Sequence, residues 1–205
     1  MVFVRPFGRH CDITARIKRA ATKWCDCYNA RDITVANSPI VSIRHAQILD
    51  LPRIVDIYNA SIPGRMATAD TESVSVASRE GWFREFDPAR RPLWVFADPA
   101  SGHVDGWLSL RSFYGRPAYH ATVEVAVYVD PAAQRRGIAR LLLTGALDAA
   151  PGLGIRTLLG FIFAHNLPSL RLFEGRGFAQ WGHLPAVAQL DGRWRDLAIL
   201  GRSLK

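Results

Sequence analysis

Thr122-Val123-Glu124-Val125-Ala126-Val127-Tyr128-Val129-Asp130-Pro131 leads, through Ala132-Ala133, into Gln134-Arg135-Arg136-Gly137-Ile138-Ala139-Arg140. The first eight residues are β-branched or apolar apart from Glu124, so they read as a largely buried strand, which Asp130-Pro131 closes. A short basic turn follows, and helical periodicity then runs to about Ala149. A helix N-terminus leaves backbone N–H groups unpaired and carries about half a positive charge, which suits a phosphate. Gly137 lets the backbone approach a pyrophosphate closely, and Arg135, Arg136 and Arg140 add charge. A solvent-exposed helix start with a packing glycine would look the same.

Working outward, residues 40–44 are β-rich and predict a first strand. Asp50 stands as an N-cap with Pro52 behind it, and Ile54, Ile57 and Tyr58 keep helical spacing to about Ala60. Residues 61–75 carry Pro63-Gly64 and read as a loop; residues 76–86 form a second helix with Trp82 and Phe83 on its apolar side. Residues 93–97 and 104–110 pair as a hairpin across a turn at 99–102. Residues 157–164 are a strongly apolar strand of central character, and residues 168–175 a helix ended by Gly175 and Gly177. Residues 178–184 and 197–200 close the chain as strands around a hairpin at Asp191-Gly192. The order β-α-α-β-β-β-α-β-α-β-β is that of an α/β domain with a mixed sheet.

The chain has 205 residues and a net charge of +8. Residues 1–39 hold seven Lys/Arg against three Asp, half of that excess, and lack the periodicity that begins at Ile40. We therefore divide the chain into a basic N-terminal extension, 1–39, and a domain, 40–205. The extension has no continuous apolar segment of the kind a secretory signal needs, and its acidic residues speak against a transit peptide. Basic residues are not interleaved with stacking aromatics, so nucleic acid is excluded as the partner, and a polyanionic small molecule accounts for the charge. No apolar run is long enough to span a bilayer. Cys11, Cys25 and Cys27 are an odd set confined to the extension, which reads as reduced thiols in a cytoplasmic protein. Cys25-Asp26-Cys27 with His10 lacks a convincing fourth ligand, so no metal is expected.

Gln134-Arg135-Arg136-Gly137-Ile138-Ala139 after its strand resembles the signature of the GNAT superfamily of N-acetyltransferases, most closely the phosphinothricin acetyltransferase-like branch. Asp56-Ile57-Tyr58-Asn59, Ala118-Tyr119, Thr122-Val123-Glu124, Asn166-Leu167-Pro168-Ser169-Leu170 and Gly177-Phe178 support it in order and spacing over residues 40–202. The resemblance implies a mixed, mostly antiparallel central sheet flanked by helices, and acetyl-coenzyme A as acetyl donor. It implies that backbone groups of Val127, Tyr128 and Val129 pair with the pantetheine arm as an added strand would. Backbone N–H groups of Arg135, Arg136, Gly137, Ile138, Ala139 and Arg140 would hold the pyrophosphate, and Asn166 the pantetheine amides near the thioester. Tyr114, Arg116 and Tyr119 match the acceptor-side segment, where Arg116 would pair with a substrate carboxylate. A homodimer is implied as well.

Acyl transfer to an amine needs the amine neutral, and Glu124, a carboxylate in an apolar strand, is the candidate base. His120 and His165 are weaker candidates for the proton path, and Tyr119 and Tyr128 for a proton donor. Phe173 stands where relatives carry a residue that can protonate the leaving thiolate. Ala69 in Thr68-Ala69-Asp70-Thr71-Glu72, and Leu190-Asp191 before Gly192-Arg193-Trp194, also depart from the branch. The implied reaction is acetylation of a primary amine on a small amino-acid-like acceptor such as phosphinothricin or methionine sulfone. The alternatives are acetylation of a peptide or protein N-terminus, and a coenzyme A sensor weak in catalysis.

Overall fold

Seven strands, in the order β1-β2-β3-β4-β5-β7-β6, form one sheet in which every neighbouring pair is antiparallel except β4–β5. The structure is a computed structural model that describes residues 42–99 and 101–204. The extension 1–39, its cysteines, and Ile40-Val41 of the predicted first strand lie outside the described residues. The strands are β1 (Ser42–His45), β2 (Leu93–Ala97), β3 (Val104–Ser112), β4 (Thr122–Val129), β5 (Thr157–Phe163), β6 (Ala179–Leu190) and β7 (Arg193–Ser203). Among the described residues, four α-helices accompany them: α1 (Leu51–Ser61), α2 (Val76–Arg84), α3 (Ile138–Ala149) and α4 (Leu167–Glu174). None is long and apolar enough to cross a membrane.

Strand alternation divides the core in two. On one face Val123 and Val125 of β4, Leu108 and Leu110 of β3 and Leu158 and Ile162 of β5 pack against Ile138, Leu142 and Leu143 of α3 and Phe173 of α4. On the other, Val95 and Trp107 meet Ile54 and Ile57 of α1, with Trp82 and Phe83 of α2 against them. Both faces of the central strands are thus apolar, and that is why β4 reads as a nearly unbroken hydrophobic run. Glu124, Ala126 and Tyr128 alternate onto the α1/α2 side.

Three local expectations need correction. Asp50 stands at the N-cap of α1 as expected, but its side chain makes no capping bond: its carboxylate accepts from the Gln47 N–H at 2.7 Å and pairs with Arg44 at 2.6 Å, closing the short 3₁₀ turn before the helix. Arg44 and the Gln47 N–H hold that carboxyl below its usual range against the opposing effect of burial. The second helix stops at Arg84 and Phe86 turns back to set its ring edge-on to Trp82, 4.9 Å away. The last two strands run 12 and 11 residues, far longer than the apolar segments at 178–184 and 197–200. Most of β6 is exposed, so it carries no alternating apolar signal, and its pairing slips between Leu184 and Ala188. Asp191 and Gly192 form the expected two-residue turn, both with positive φ (48° and 74°).

Close packing sets one further constraint. A Cβ on Gly160 of β5 would stand 2.7 Å from the Phe173 ring, so the α4 aromatic sits directly on the strand backbone. Phe173 is 3% exposed and meets Phe178 edge-on. Gly160→Val is expected to cost about 1–3 kcal/mol through overpacking. Calorimetry should record a Tm several degrees lower, with the helical circular dichroism retained.

Candidate active site

β4 and β5 pair only along Thr122–Glu124 and Thr157–Leu159. On its other edge β4 stays paired with β3 as far as Val129 opposite Gly106. Beyond Glu124 the two parallel strands part. Among the described residues, no strand then pairs with the β5-side edge of β4. A strand edge in this state offers backbone N–H and C=O groups to an extended ligand. The gap holds a cavity of about 410 Å³ between Val125–Tyr128 on one wall and Phe161–Phe163, Asn166 and Phe173 on the other. Met66, Ala67, Thr68 and Ala69 roof it.

Three side chains fasten that roof by successive carbonyls. His165 Nε2 donates to the Arg65 carbonyl at 2.8 Å, Asn166 Nδ2 to that of Met66 at 2.8 Å and the Tyr128 hydroxyl to that of Ala67 at 3.2 Å. Arg65 itself has φ of 51° and binds Asp191 on the β6–β7 turn at 2.9 Å. Asn166 is 6% exposed and also caps α4, accepting from the Ser169 N–H at 3.2 Å. The residue singled out for pantetheine therefore lines the cavity and ties its roof to its wall.

At the far end of β4, Asp130 begins the basic turn, accepting from the Ala132 N–H at 2.7 Å and from Arg53. Arg135 and Gly137 are both left-handed, with φ of 64° and 82°, and α3 starts at Ile138 with no side chain capping it. Left-handed residues beside an uncapped helix start allow consecutive N–H groups to face one anion. Arg135 and Arg140 are exposed here. The Arg136 guanidinium, still about half exposed, instead turns to Asp105 at 3.0 Å and lies 3.8 Å from Asp98. An uncapped turn, a free strand edge and a cavity in line fit a ligand with a diphosphate at one end and an amide-bearing arm.

Glu124, half-buried, lines this cavity and a second one of about 200 Å³ on the α1/α2 side. Sequence reasoning missed most of the second cavity. Arg111 sits opposite Glu124 in the β3–β4 register, and Arg79 of α2 comes in beside Tyr58, Trp82 and Trp107. The Tyr58 hydroxyl lies 2.6 Å from Thr68 Oγ1 and donates to Asp70 at 2.6 Å, while Arg79 binds Asp70 at 2.9 Å. The Arg79 guanidinium stands 5.0 Å from the Tyr58 ring centre. Burial first, then the bond to Asp70, raises the Tyr58 pKa. Burial, with Tyr58 and Glu124 nearby, raises that of Tyr128 strongly. Both phenols stay protonated at neutral pH and act as donors. Alternation along β3 past buried Ser109 is the signal that would have found Arg111; nothing in α2 marks Arg79.

Tyr114, Arg116 and Tyr119 line neither cavity. They lie on the exposed β3–β4 connection, where Tyr114 (76% exposed) and Tyr119 (42%) cluster with Phe113, which stacks on Phe161 at the cavity wall. His120 points to the Pro117 carbonyl at 2.9 Å, also outside both cavities.

The model of the acetyltransferase (GNAT) family matches residues 52–178. The Bacillus subtilis protein YwnH, provisionally named a phosphinothricin acetyltransferase, is 49% identical over 164 residues, 80% of this chain and 99% of its own. An L-methionine sulfoximine/L-methionine sulfone acetyltransferase of Pseudomonas aeruginosa is 32% identical over 80% of this chain and 94% of its own. The crystal structure of a phosphinothricin acetyltransferase from Sinorhizobium meliloti in complex with acetyl-coenzyme A superposes with a TM-score of 0.75. It is 30% identical and covers 80% of this chain and 88% of its own.

Because Asn166 is both helix cap and roof tether, Asn166→Ala is expected to cost about 1–2 kcal/mol. Hydrogen exchange should accelerate at residues 66–70 well before the central strands respond.

Proposed function

The chain belongs to the acetyltransferase (GNAT) family, and from that premise we propose that it acetylates the amine of a small amino-acid-like acceptor at Glu124. Acetyl-coenzyme A, the donor of this family, supplies an acetyl group already activated as a thioester. The observation that carries the reading is the position of Glu124, a carboxylate at the point where β4 and β5 part, shared by both cavities.

On this reading the donor occupies the larger cavity. Backbone groups of Val127, Tyr128 and Val129 hold its amide arm, and those of Arg135 to Arg140 its diphosphate, with Arg135 and Arg140 adding charge. Asn166 has a second amide hydrogen beyond the one given to Met66, and it serves the arm near the thioester. The acceptor occupies the smaller cavity. Glu124 takes a proton from its ammonium, directly or through water, because only the neutral amine has a lone pair to attack with. Arg111 and Arg79 hold the acceptor's acid groups, and the aromatic wall of Trp82, Trp107 and Tyr58 packs its carbon chain. Phosphinothricin, methionine sulfone and methionine sulfoximine have this chemistry. Tyr114, Arg116 and Tyr119 form the rim where the acceptor enters. Phe173 supplies no proton; it is core, and coenzyme A thiolate leaves without a dedicated acid.

Residues 1–39 are an extension to this domain, and the enzyme works in the cytoplasm. Trp181, Leu184, Val187 and Trp194 are exposed on the β6–β7 hairpin and provide the surface for a homodimer.

Glu124→Gln is expected to lower kcat/KM by about 10²–10⁴, the usual worth of a positioned base. Affinity for acetyl-coenzyme A should not change. Activity of the variant should recover as pH rises toward the acceptor amine's own pKa, since more amine is then neutral unaided. A near-normal rate at pH 7 would sink the assignment. Arg111→Ala, in contrast, should raise the KM of an acidic acceptor by about 10- to 100-fold, the value of a charged hydrogen bond, while leaving the KM for acetyl-coenzyme A alone. Steady-state kinetics with each substrate varied in turn separates the two.

A further inference from the structure

We propose that Asp105 is the positioning residue of the diphosphate turn, gripping its two ends with one residue's backbone and side chain. At the near end, the Asp105 carbonyl accepts from the Asp130 N–H at 2.9 Å, where β4 gives way to the turn. At the far end, its carboxylate accepts from Arg136 Nη1 at 3.0 Å, immediately before Gly137. Everything between is a 3₁₀ turn and irregular backbone with little bonding of its own. The inference rests on the assignment of this turn to the donor's diphosphate.

The surroundings are built to keep Asp105 in place. It is 7% exposed, one of four buried polar or charged residues among those described. Its other carboxylate oxygen faces His103 Nδ1 at 3.0 Å. The next residue is Gly106, whose missing Cβ would stand 3.0 Å from Ile138 Cγ2 and 3.0 Å from the Tyr128 carbonyl. The first residue of α3 therefore seats on β3 directly beside Asp105. Arg53 of α1 adds a parallel tie, donating to the Val104 carbonyl at 3.0 Å and to the Asp130 carboxylate.

Electrostatics decides what Asp105 is for. A buried carboxylate near an anion site weakens anion binding by charge alone. Asp98, half-buried, brings a second carboxylate 3.8 Å from the same guanidinium. Such a pair is intelligible if the geometry it imposes is worth more than the repulsion, with Arg136 neutralising part of the acidic charge. Holding the turn in its bound shape reduces the ordering cost of binding. Arg136 is then a strut, and the phosphates are left to the backbone, Arg135 and Arg140.

Calorimetric titration with coenzyme A, alongside steady-state kinetics, tests this on five variants: Asp105→Ala, Asp105→Asn, Arg136→Ala, the double Asp105→Ala/Arg136→Ala and Gly137→Val. Asp105→Ala should weaken coenzyme A by about tenfold or more. The KM for acetyl-coenzyme A should rise by the same factor, with kcat and the acceptor KM unchanged. Asp105→Asn keeps an accepting oxygen and should recover part of the loss, which also guards against a misfolded alanine variant. Arg136→Ala should lose as much as Asp105→Ala, and the double no more than either alone. Additive losses, or tighter binding once Asp105 releases Arg136, would overturn the proposal by making Arg136 a direct phosphate ligand. Gly137→Val separates the two levels of argument, since a side chain at φ of 82° strains the turn itself. If it abolishes coenzyme A binding while the Asp105 variants bind normally, only the role of Asp105 fails. If it too binds normally, the turn is not the diphosphate site and the parent reading fails with it.

Discussion

The separation of β4 from β5 after Glu124 is the constraint on which the rest of the molecule turns. Two parallel strands in the middle of a sheet ordinarily satisfy each other's backbone groups along their full length. Here three residue pairs do so and the remainder of the β4 edge faces a cavity. Such a gap is costly unless neighbouring elements hold it open. β3 continues beside β4 to Val129, β7 pairs with the whole of β5, and α3 and α4 cover the far face. The strands are thus fixed from their outer sides, and the β4 edge between them is left open to the cavity.

The side chains around the opening serve the same end by different means. Phe173, lying on the bare backbone of Gly160, fills the space beneath the cavity and fixes α4 to β5. The start of α4 then presents His165 and Asn166 to the roof segment, and Tyr128 takes the third carbonyl from the opposite wall. One phenol network joins this roof to the smaller cavity, since Thr68 binds Tyr58, which binds Asp70, which holds Arg79. The roof of the larger cavity and the wall of the smaller one are consequently joined by bonds, and Glu124 lines both cavities. Charge follows geometry: arginines line the smaller cavity and flank the turn, and Arg136 is drawn toward buried Asp105.

Features that depend on near neighbours were legible along the chain. The strand Thr122–Val129, the basic turn with Gly137 and the helix after it were legible because β-branched runs, a glycine beside a helix start and a 3.6-residue period act over a few residues. The Asp191-Gly192 turn was legible for the same reason, and so was Glu124, a lone carboxylate in an apolar strand. Their placement on one free strand edge was not. β4 lies between β3, close in sequence, and β5, which follows only after a helix, and no local pattern states where their pairing stops.

The smaller cavity exists only through the tertiary structure. Arg79 comes from a helix with little amphipathic signal, Arg111 from the end of β3 and Tyr58 from α1, and they converge because the two cores hold α1 and α2 against one side of the sheet. Tyr114 and Tyr119, matched by resemblance to an acceptor-side segment, lie exposed on the β3–β4 connection and line neither cavity, a placement that nothing local in the sequence states. The length of β6 escaped for the opposite reason: with most side chains in solvent, its strand character comes from backbone pairing with β7, which composition does not encode. Local chemistry is written along the chain, whereas a site made by opening one strand pair and gathering residues from four elements exists only once long-range pairing has closed.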